Sequence, residues 1–145
     1  MKPCTGLLLF CCAALAQAQA PAGFTRLDLP PTLSVRQEPG APPAKWQAGR
    51  SEFKPAVKAV TVFDGDPKEQ ASLVPDNEVK SKTTPYALWT FDPRAKRLIW
   101  LQVQYTGTSI HLAQALPAGT RELRVYYEPG QSIDGHGVIR QVMYR

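Results

Sequence analysis

From residue 56 onward, apolar and polar residues alternate in short runs that are separated by Gly and Pro. A period of two places successive side chains on opposite faces of an extended chain, and Gly and Pro favour the turns between runs. No sustained helical periodicity accompanies the pattern, and only residues 67–79 are compatible with a helical turn. The chain is therefore predicted to be mainly all-β. The predicted strands are residues 57–64, 86–91, 98–105, 109–116, 121–128 and 138–144.

Three consecutive strands, the third to the fifth, agree on one antiparallel register. If a two-residue turn joins the third and fourth strands, Val103 lies opposite Ile110, and a four-residue loop then places Leu112 opposite Val125. A slip of one residue would scatter these apolar pairs over both faces. An antiparallel meander is therefore predicted, with the second strand beside the third, in a small sandwich or open barrel. The predicted inner face consists of Tyr86, Leu88, Leu101, Val103, Ile110, Leu112, Leu123, Val125 and Tyr127.

Residues 1–18 have the pattern of a secretory signal peptide. Lys2 supplies a positive charge, and residues 7–16 form an apolar run. That run is shorter than the roughly 20 residues of a membrane-spanning helix. The small-x-small motif occurs twice, ending at Ala18 and at Ala20. Cleavage after Ala20 would leave Pro21 as the first mature residue, which the peptidase handles poorly. Cleavage after Ala18 is predicted; an uncleaved N-terminal anchor is the alternative.

Cleavage would leave residues 19–145, about one domain, with no cysteine. This excludes disulfides, cysteine metal sites and a thiol nucleophile from the mature chain. Neither Cys11 nor Cys12 follows the small residues that a lipoprotein anchor needs, so no membrane anchor is predicted. Without Lys2, 16 basic residues face 12 acidic ones. They are scattered rather than clustered, which argues against nucleic-acid binding. A periplasmic or secreted protein without a cofactor is predicted.

Residues 19–50 hold six prolines and few aliphatic residues. Proline fixes φ and removes an amide donor, so neither a helix nor a central strand forms easily there. An extended Pro-rich leader is therefore predicted, followed by a single antiparallel β domain at residues 51–145. The alternative is a ligand for an aromatic groove of another protein.

Four large apolar residues are predicted on the outer face of the meander: Trp89, Phe91, Leu98 and Trp100. In the predicted register, Trp89 lies across from Trp100. Aromatic residues commonly anchor protein interfaces, which makes this set a candidate binding patch. The alternative is that the first strand or the leader covers the patch as a second layer.

Polar features offer weaker candidates for chemistry. His111 is interpreted as a hydrogen-bonded surface residue, because no carboxylate is assigned beside it. Asp134 and His136 share a Gly-rich loop, where the glycines serve a turn. The acidic stretch at residues 64–69 is explained by a turn after a strand, since a calcium loop needs a longer ligand pattern. No metal site is predicted.

Seven short strings between residues 58 and 130 carry a family resemblance. They are Phe63-Asp64-Gly65, Ala71-Ser72-Leu73-Val74-Pro75-Asp76, Leu88-Trp89-Thr90-Phe91, Ile99-Trp100-Leu101, Tyr105-Thr106-Gly107-Thr108, Leu116-Pro117 and Tyr127-Glu128-Pro129. With them the chain resembles a family of small exported Gram-negative proteins of unknown function, first noted near an enterobacterial type VI secretion island.

The resemblance implies a periplasmic location and a β domain, and it brings no catalytic residues. Members of that family carry cysteines in two central strands, where this chain has Val103 and Leu123. Both positions lie on the predicted inner face. Aliphatic packing in place of a buried disulfide is therefore expected here.

Together these features favour a non-enzymatic periplasmic protein that binds another protein or an envelope component, in an immunity-like or inhibitor-like role. A structural accessory of an envelope or secretion machine is the alternative. A hydrolase that uses His136 with Asp134 is a third hypothesis.

Overall fold

The computed structural model describes residues 21–38, 40–49 and 52–145, which form two antiparallel sheets that do not close into a barrel. The predicted all-β antiparallel class is confirmed. The predicted signal segment and its cleavage site at Ala18 lie outside the described residues. In order across the five-stranded sheet lie β1 (Thr25–Leu27), β9 (His136–Tyr144), β8 (Glu122–Ile133), β5 (Tyr86–Thr90) and β4 (Asn77–Val79). Across the four-stranded sheet lie β3 (Ser72–Leu73), β2 (Val57–Asp64), β6 (Ile99–Tyr105) and β7 (His111–Ala115).

A short 3₁₀ helix at Pro67–Glu69 follows β2, inside the stretch where a helical turn was compatible with the sequence. Asp66 caps it by accepting a hydrogen bond from the Lys68 amide at 2.9 Å. Proline at the first position suits a helix start, because the amide that proline lacks would have no partner there.

The core lies between the two sheets, to which each sheet contributes every second residue. Val62 and Leu101 of the four-stranded sheet belong to one buried cluster with Val125 and Val142 of the five-stranded sheet. Each fully buried aliphatic side chain of this kind contributes roughly 1.5–3 kcal/mol before the entropy of ordering is subtracted. Two sheets that bury their facing sides in this way form a sandwich.

The two positions where the resembled family carries cysteines belong to that cluster. Val103 is 3% exposed and Leu123 is 0% exposed, and they come from opposite sheets. Apolar packing between the sheets therefore occupies the place expected for a buried crosslink.

The strand pairing predicted within the meander is wrong in part, because the chain crosses between the two antiparallel sheets at the β5–β6 and β7–β8 connections. β6 and β7 do form a hairpin, but residues 106–110 form the turn, and Val103 pairs with Leu112 instead of Ile110. This shift of two residues keeps the same side chains on the same face. Residues 116–121 then carry the chain to the other sheet, where β8 pairs with β5 and β9.

The predicted face of β5 is also wrong. β5 pairs with β8 and not with β6, so Trp89 lies opposite Leu123 rather than opposite Trp100. Ala87 and Trp89 are buried, while Tyr86 and Leu88 are only partly buried. The remaining predicted inner residues divide by position. Leu101, Val103, Leu123 and Val125 are buried, Tyr127 is partly buried, and Ile110 and Leu112 at the edge strand are 48% and 37% exposed.

The N-terminal part of the predicted leader packs against the β domain. β1 pairs with β9, and Thr32 forms an isolated bridge with Ala56. The Tyr105 hydroxyl donates to the Pro30 carbonyl at 2.9 Å, and burial raises the pKa of that hydroxyl. Residues 25–33 thus belong structurally to the sandwich, while the boundary predicted at residue 51 stays a prediction.

Candidate protein-binding surface

Nine paired side chains on the outer side of the four-stranded sheet include no acidic residue, lysine or arginine. Lys58, at the bulge of β2, is not among them and is ion-paired with Asp134. The strand register aligns nine side chains in three rows across β2, β6 and β7. At the chain average of 20% charged residues, about two of these nine side chains would be charged, and none is. We call this set the uncharged face: Ala59, Gln104 and His111; Thr61, Gln102 and Ala113; Phe63, Trp100 and Ala115.

Aromatic residues concentrate at one end of the uncharged face. Phe63 pairs with Trp100, and Trp100 pairs with Ala115. The Gly65 amide donates to the Leu98 carbonyl at 3.0 Å, which continues the β2–β6 register and places Leu98 on the same side as Trp100. Gly65 is buried because the Arg97 guanidinium lies where a side chain of residue 65 would be, so this arginine borders the aromatic end, and Leu98 is 42% exposed.

The structure divides the predicted aromatic patch. Trp100 belongs to the uncharged face, and Leu98 lies next to it on the same side of the sheet. Trp89 is 6% exposed in the five-stranded sheet, where its indole N–H donates to the Leu73 carbonyl at 3.2 Å. Phe91 packs against the core, partly buried. A role in binding for these residues stays a prediction.

Sequence analysis missed the small and aromatic neighbours that complete this face. Ala59, Thr61 and Phe63 are every second residue of a predicted strand, so their common face was visible in the alternation. What the alternation could not show was that this strand pairs with β6, because the pairing joins segments far apart in the chain.

β7 forms an open edge beside the uncharged face. Among the residues that the structure describes, β7 is the last strand of the four-stranded sheet and pairs only with β6. β7 has five residues, whereas the other edge strands β1, β3 and β4 have three, two and three. Natural proteins protect edge strands with charges, prolines or short length. The sequence HLAQA of β7 has no acidic residue, lysine, arginine or proline.

The outer face of the five-stranded sheet is different, because charged residues and the N-terminal segment occupy it. The Glu122 carboxylate is ion-paired with Arg124 and Arg145, each at 2.5 Å, and its side chain is only 9% exposed. The Phe24 ring lies 4.5 Å from the Arg124 guanidinium and 4.8 Å from that of Arg145. Cation–π contacts of this kind hold the N-terminal segment over the pair.

The surroundings of Glu122 also set its charge. Burial by itself would raise the pKa of the Glu122 carboxyl, but hydrogen bonds from Arg145 and Arg124 outweigh burial and lower the pKa below its ordinary value of 4.5. Glu122 is therefore an anion at neutral pH. Its ion pairs with Arg124 and Arg145 stabilise the fold at this end of the five-stranded sheet.

His136 lies in a cleft of about 350 Å³ between β2, the β4–β5 connection and the β8–β9 hairpin. Tyr127 also lines the cleft, and burial raises the pKa of its hydroxyl, with a further contribution from the Glu78 carboxylate. The Asp134 carboxylate lies 3.7 Å from the Lys58 ammonium. Among the described residues no hydrogen bond joins Asp134 to His136, and the cleft lining contains no Ser, Thr or Cys. The hydrolase hypothesis, which pairs His136 with Asp134, therefore gains no support from this cleft.

The acidic stretch after β2 is held by an arginine. Arg97 is ion-paired with Asp64 at 3.3 Å and with Glu69. The hydrogen bond to Glu69 and the negative charges of Glu69 and Asp64 raise the pKa of the Arg97 guanidinium. Within the described ranges, no group of three or more His, Cys, Asp and Glu side chains is arranged to hold a metal ion. His111 is exposed and pairs with Gln104 across the hairpin.

No helix in the described part of the chain has the length and apolar character needed to cross a membrane. Searches among curated proteins and among solved structures returned no significant match. A family model described as "Type VI secretion system Tli immunity protein" matches residues 50–141, which is more than half of the chain. The match spans β2 to β8 and most of β9, so it includes both sheets of the sandwich. It also confirms the resemblance to a family linked to type VI secretion. The chain belongs to the type VI secretion system Tli immunity protein family.

Proposed function

We propose that this chain is a periplasmic immunity protein that binds a toxic type VI secretion effector and blocks its action. The observation that carries the proposal is the family match over residues 50–141. An immunity protein works by binding a protein partner, and the uncharged face described above is a surface suited to such a partner. The signal-like segment at residues 1–18 supports a periplasmic site of action.

The uncharged face is the docking surface that we assign to the effector. The cores of protein interfaces are depleted of charged residues and enriched in aromatic ones. Trp100 supplies the partly exposed aromatic side chain and packs in the row of Phe63, which is itself only 8% exposed. The surrounding Ala, Thr and Gln side chains are small or adaptable in hydrogen bonding. By contrast, Phe24 and the arginines that contact it already occupy the outer face of the other sheet.

The experiment exports each type VI effector of the source bacterium to the periplasm of a sensitive host, with and without the full chain. Restored growth against one effector is the expected result. A structural accessory would instead leave toxicity unchanged and co-purify with components of the secretion machine. If the chain neutralises none of the effectors, the proposed function is wrong.

A pair of Trp variants tests the docking surface in the same assay. Trp100→Ala should weaken binding of the neutralised effector by about tenfold or more, as expected for an aromatic anchor of an interface. Trp46→Ala is the matched control, because Trp46 is 74% exposed and lies outside both sheets. Binding is measured by titration calorimetry, and circular dichroism verifies that each variant is folded. Equal affinities for the two variants would contradict the assignment of this face.

A further inference from the structure

We infer that the effector adds an extended strand to the open edge of β7, so that backbone hydrogen bonds extend the four-stranded sheet. The inference rests on the proposed function and names how the partner is held. It is carried by the hydrogen-bond pattern of β7, by the composition of that strand and by the area that a stable interface needs.

One hydrogen bond determines which backbone groups of β7 face outward. The Leu116 amide donates to the Ile99 carbonyl at 2.7 Å, and these two residues continue the β6–β7 register. In an antiparallel pair, hydrogen-bonded and non-hydrogen-bonded pairs alternate. Leu112 and Gln114 therefore bond to β6. The N–H and C=O groups of His111, Ala113 and Ala115 point away from the sheet and are available for another strand.

The side chains of β7 allow a strand to approach. Ala113 and Ala115 have small side chains on the outer side of the sheet, next to Gln102 and Trp100. No charge along β7 opposes the pairing. On the core side, Leu112 of this edge strand is 37% exposed. An added strand with an apolar side chain opposite Leu112 would complete the burial of this residue.

The occupant that we infer is a strand of the effector and not a second copy of this chain. A stable interface buries about 800 Å² on each partner. Pairing of two β7 edges would extend the sheet by only five residues on each side and would leave the uncharged face uncovered. An effector that adds a strand at the edge also reaches Trp100 and its neighbours, because they form one continuous surface with β7.

Amide hydrogen exchange of the complex with the neutralised effector tests the inference directly. The amides of His111, Ala113 and Ala115 should exchange at least tenfold more slowly in the complex. The amides of Leu112 and Gln114 serve as an internal reference, because they are already bonded to β6. If the effector is neutralised while the three outward amides exchange at unchanged rates, the inference is wrong and the proposed function stands. If no effector is neutralised, both are wrong.

A matched pair of variants at one position separates backbone pairing from side-chain contact. Ala113→Pro removes an outward N–H without removing a bond to β6, and proline is tolerated on edge strands. It should weaken effector binding at least tenfold, whereas Ala113→Val, which keeps the N–H, should stay within about threefold. Equal losses for the two variants would overturn strand addition. So would a dimer of the free chain, seen by sedimentation, in which the same amides are already protected.

Discussion

Glu122 is the residue whose charge holds two arginines and, through them, an aromatic ring in place. Its protonation state therefore affects the stability of the fold. Its carboxylate bridges Arg124 in its own strand and Arg145 at the end of the chain. The Phe24 ring lies over both guanidinium groups. Removing the Glu122 carboxylate would therefore leave Arg124 and Arg145 without their ion-pair partner at a partly buried site.

Glu122→Gln should lower the free energy of unfolding at pH 7 by roughly 1–3 kcal/mol, the usual range for hydrogen bonds to charged groups. Because the folded-state pKa of Glu122 lies below 4.5, its stabilisation is fully present above about pH 4.5 and is lost as the pH falls through the folded pKa. The difference between wild type and variant should therefore shrink below that pH. Urea unfolding at pH 7 and at pH 3 measures both effects.

The control for this prediction is Glu38→Gln. Glu38 pairs with Arg36, but the two side chains are 62% and 80% exposed. An exposed pair contributes about 0–1 kcal/mol, so this variant should change stability little at either pH. A Glu122 effect as small as the Glu38 effect, or one that is the same at both pH values, would contradict the role given to Glu122.

At the scale of the element, the hairpin between β8 and β9 depends on a turn that strongly restricts residue type. Asp134 and Gly135 form the turn with φ values of 49° and 78°. Two central residues with positive φ are typical of a type I′ turn, whose twist matches that of the flanking strands. The Asp-Gly pair in the sequence therefore has a direct structural reason.

Gly135→Ala should destabilise the protein by about 1–2 kcal/mol. A Cβ at Gly135 would meet no atom within 4 Å, so the positive φ is the only penalty. Gly40→Ala is the control, since a Cβ there is equally free of contacts and φ lies outside the left-handed region. Loss of freedom in the unfolded chain should make that change neutral or slightly stabilising. Chemical denaturation of both variants tests the contrast, which equal effects would disprove.

At the scale of the whole molecule, the proposed role depends on reaching the periplasm. When the full-length chain is expressed, the protein recovered from the periplasm should begin at Gln19, which N-terminal sequencing can test. Deleting residues 2–18 should abolish protection against an effector that acts in the periplasm. Replacing residues 1–18 with the signal peptide of another exported protein should restore protection. Protection by the deleted chain would instead place its site of action in the cytoplasm.

The sequence by itself determined where the long strands lie and which side chains share a face within each strand. β2 has the predicted bounds, and β5, β6 and β7 lie within their predicted runs. β8 continues past its predicted end at residue 128 to Ile133, and β9 begins at His136, before the predicted residue 138. This worked because alternation reflects a local property of the extended backbone. The same logic identified Trp100 and Leu98 as outward-facing residues. Strands β1, β3 and β4 were not predicted, because two or three residues are too few to show an alternating pattern.

Only the tertiary structure decided which strands are neighbours. The loops after β5 and β7 carry the chain from one sheet to the other, so that Trp89 lies in the core and Trp100 on the outer surface. The pairing of β2 with β6 and of β6 with β7 likewise brings Phe63, Trp100 and Ala115 into one row. It also leaves β7 as the open edge beside that row. Hydrogen bonds between strands join residues far apart in sequence, and several partners can satisfy the same alternation. The choice among them is made by burial of the whole core between the sheets.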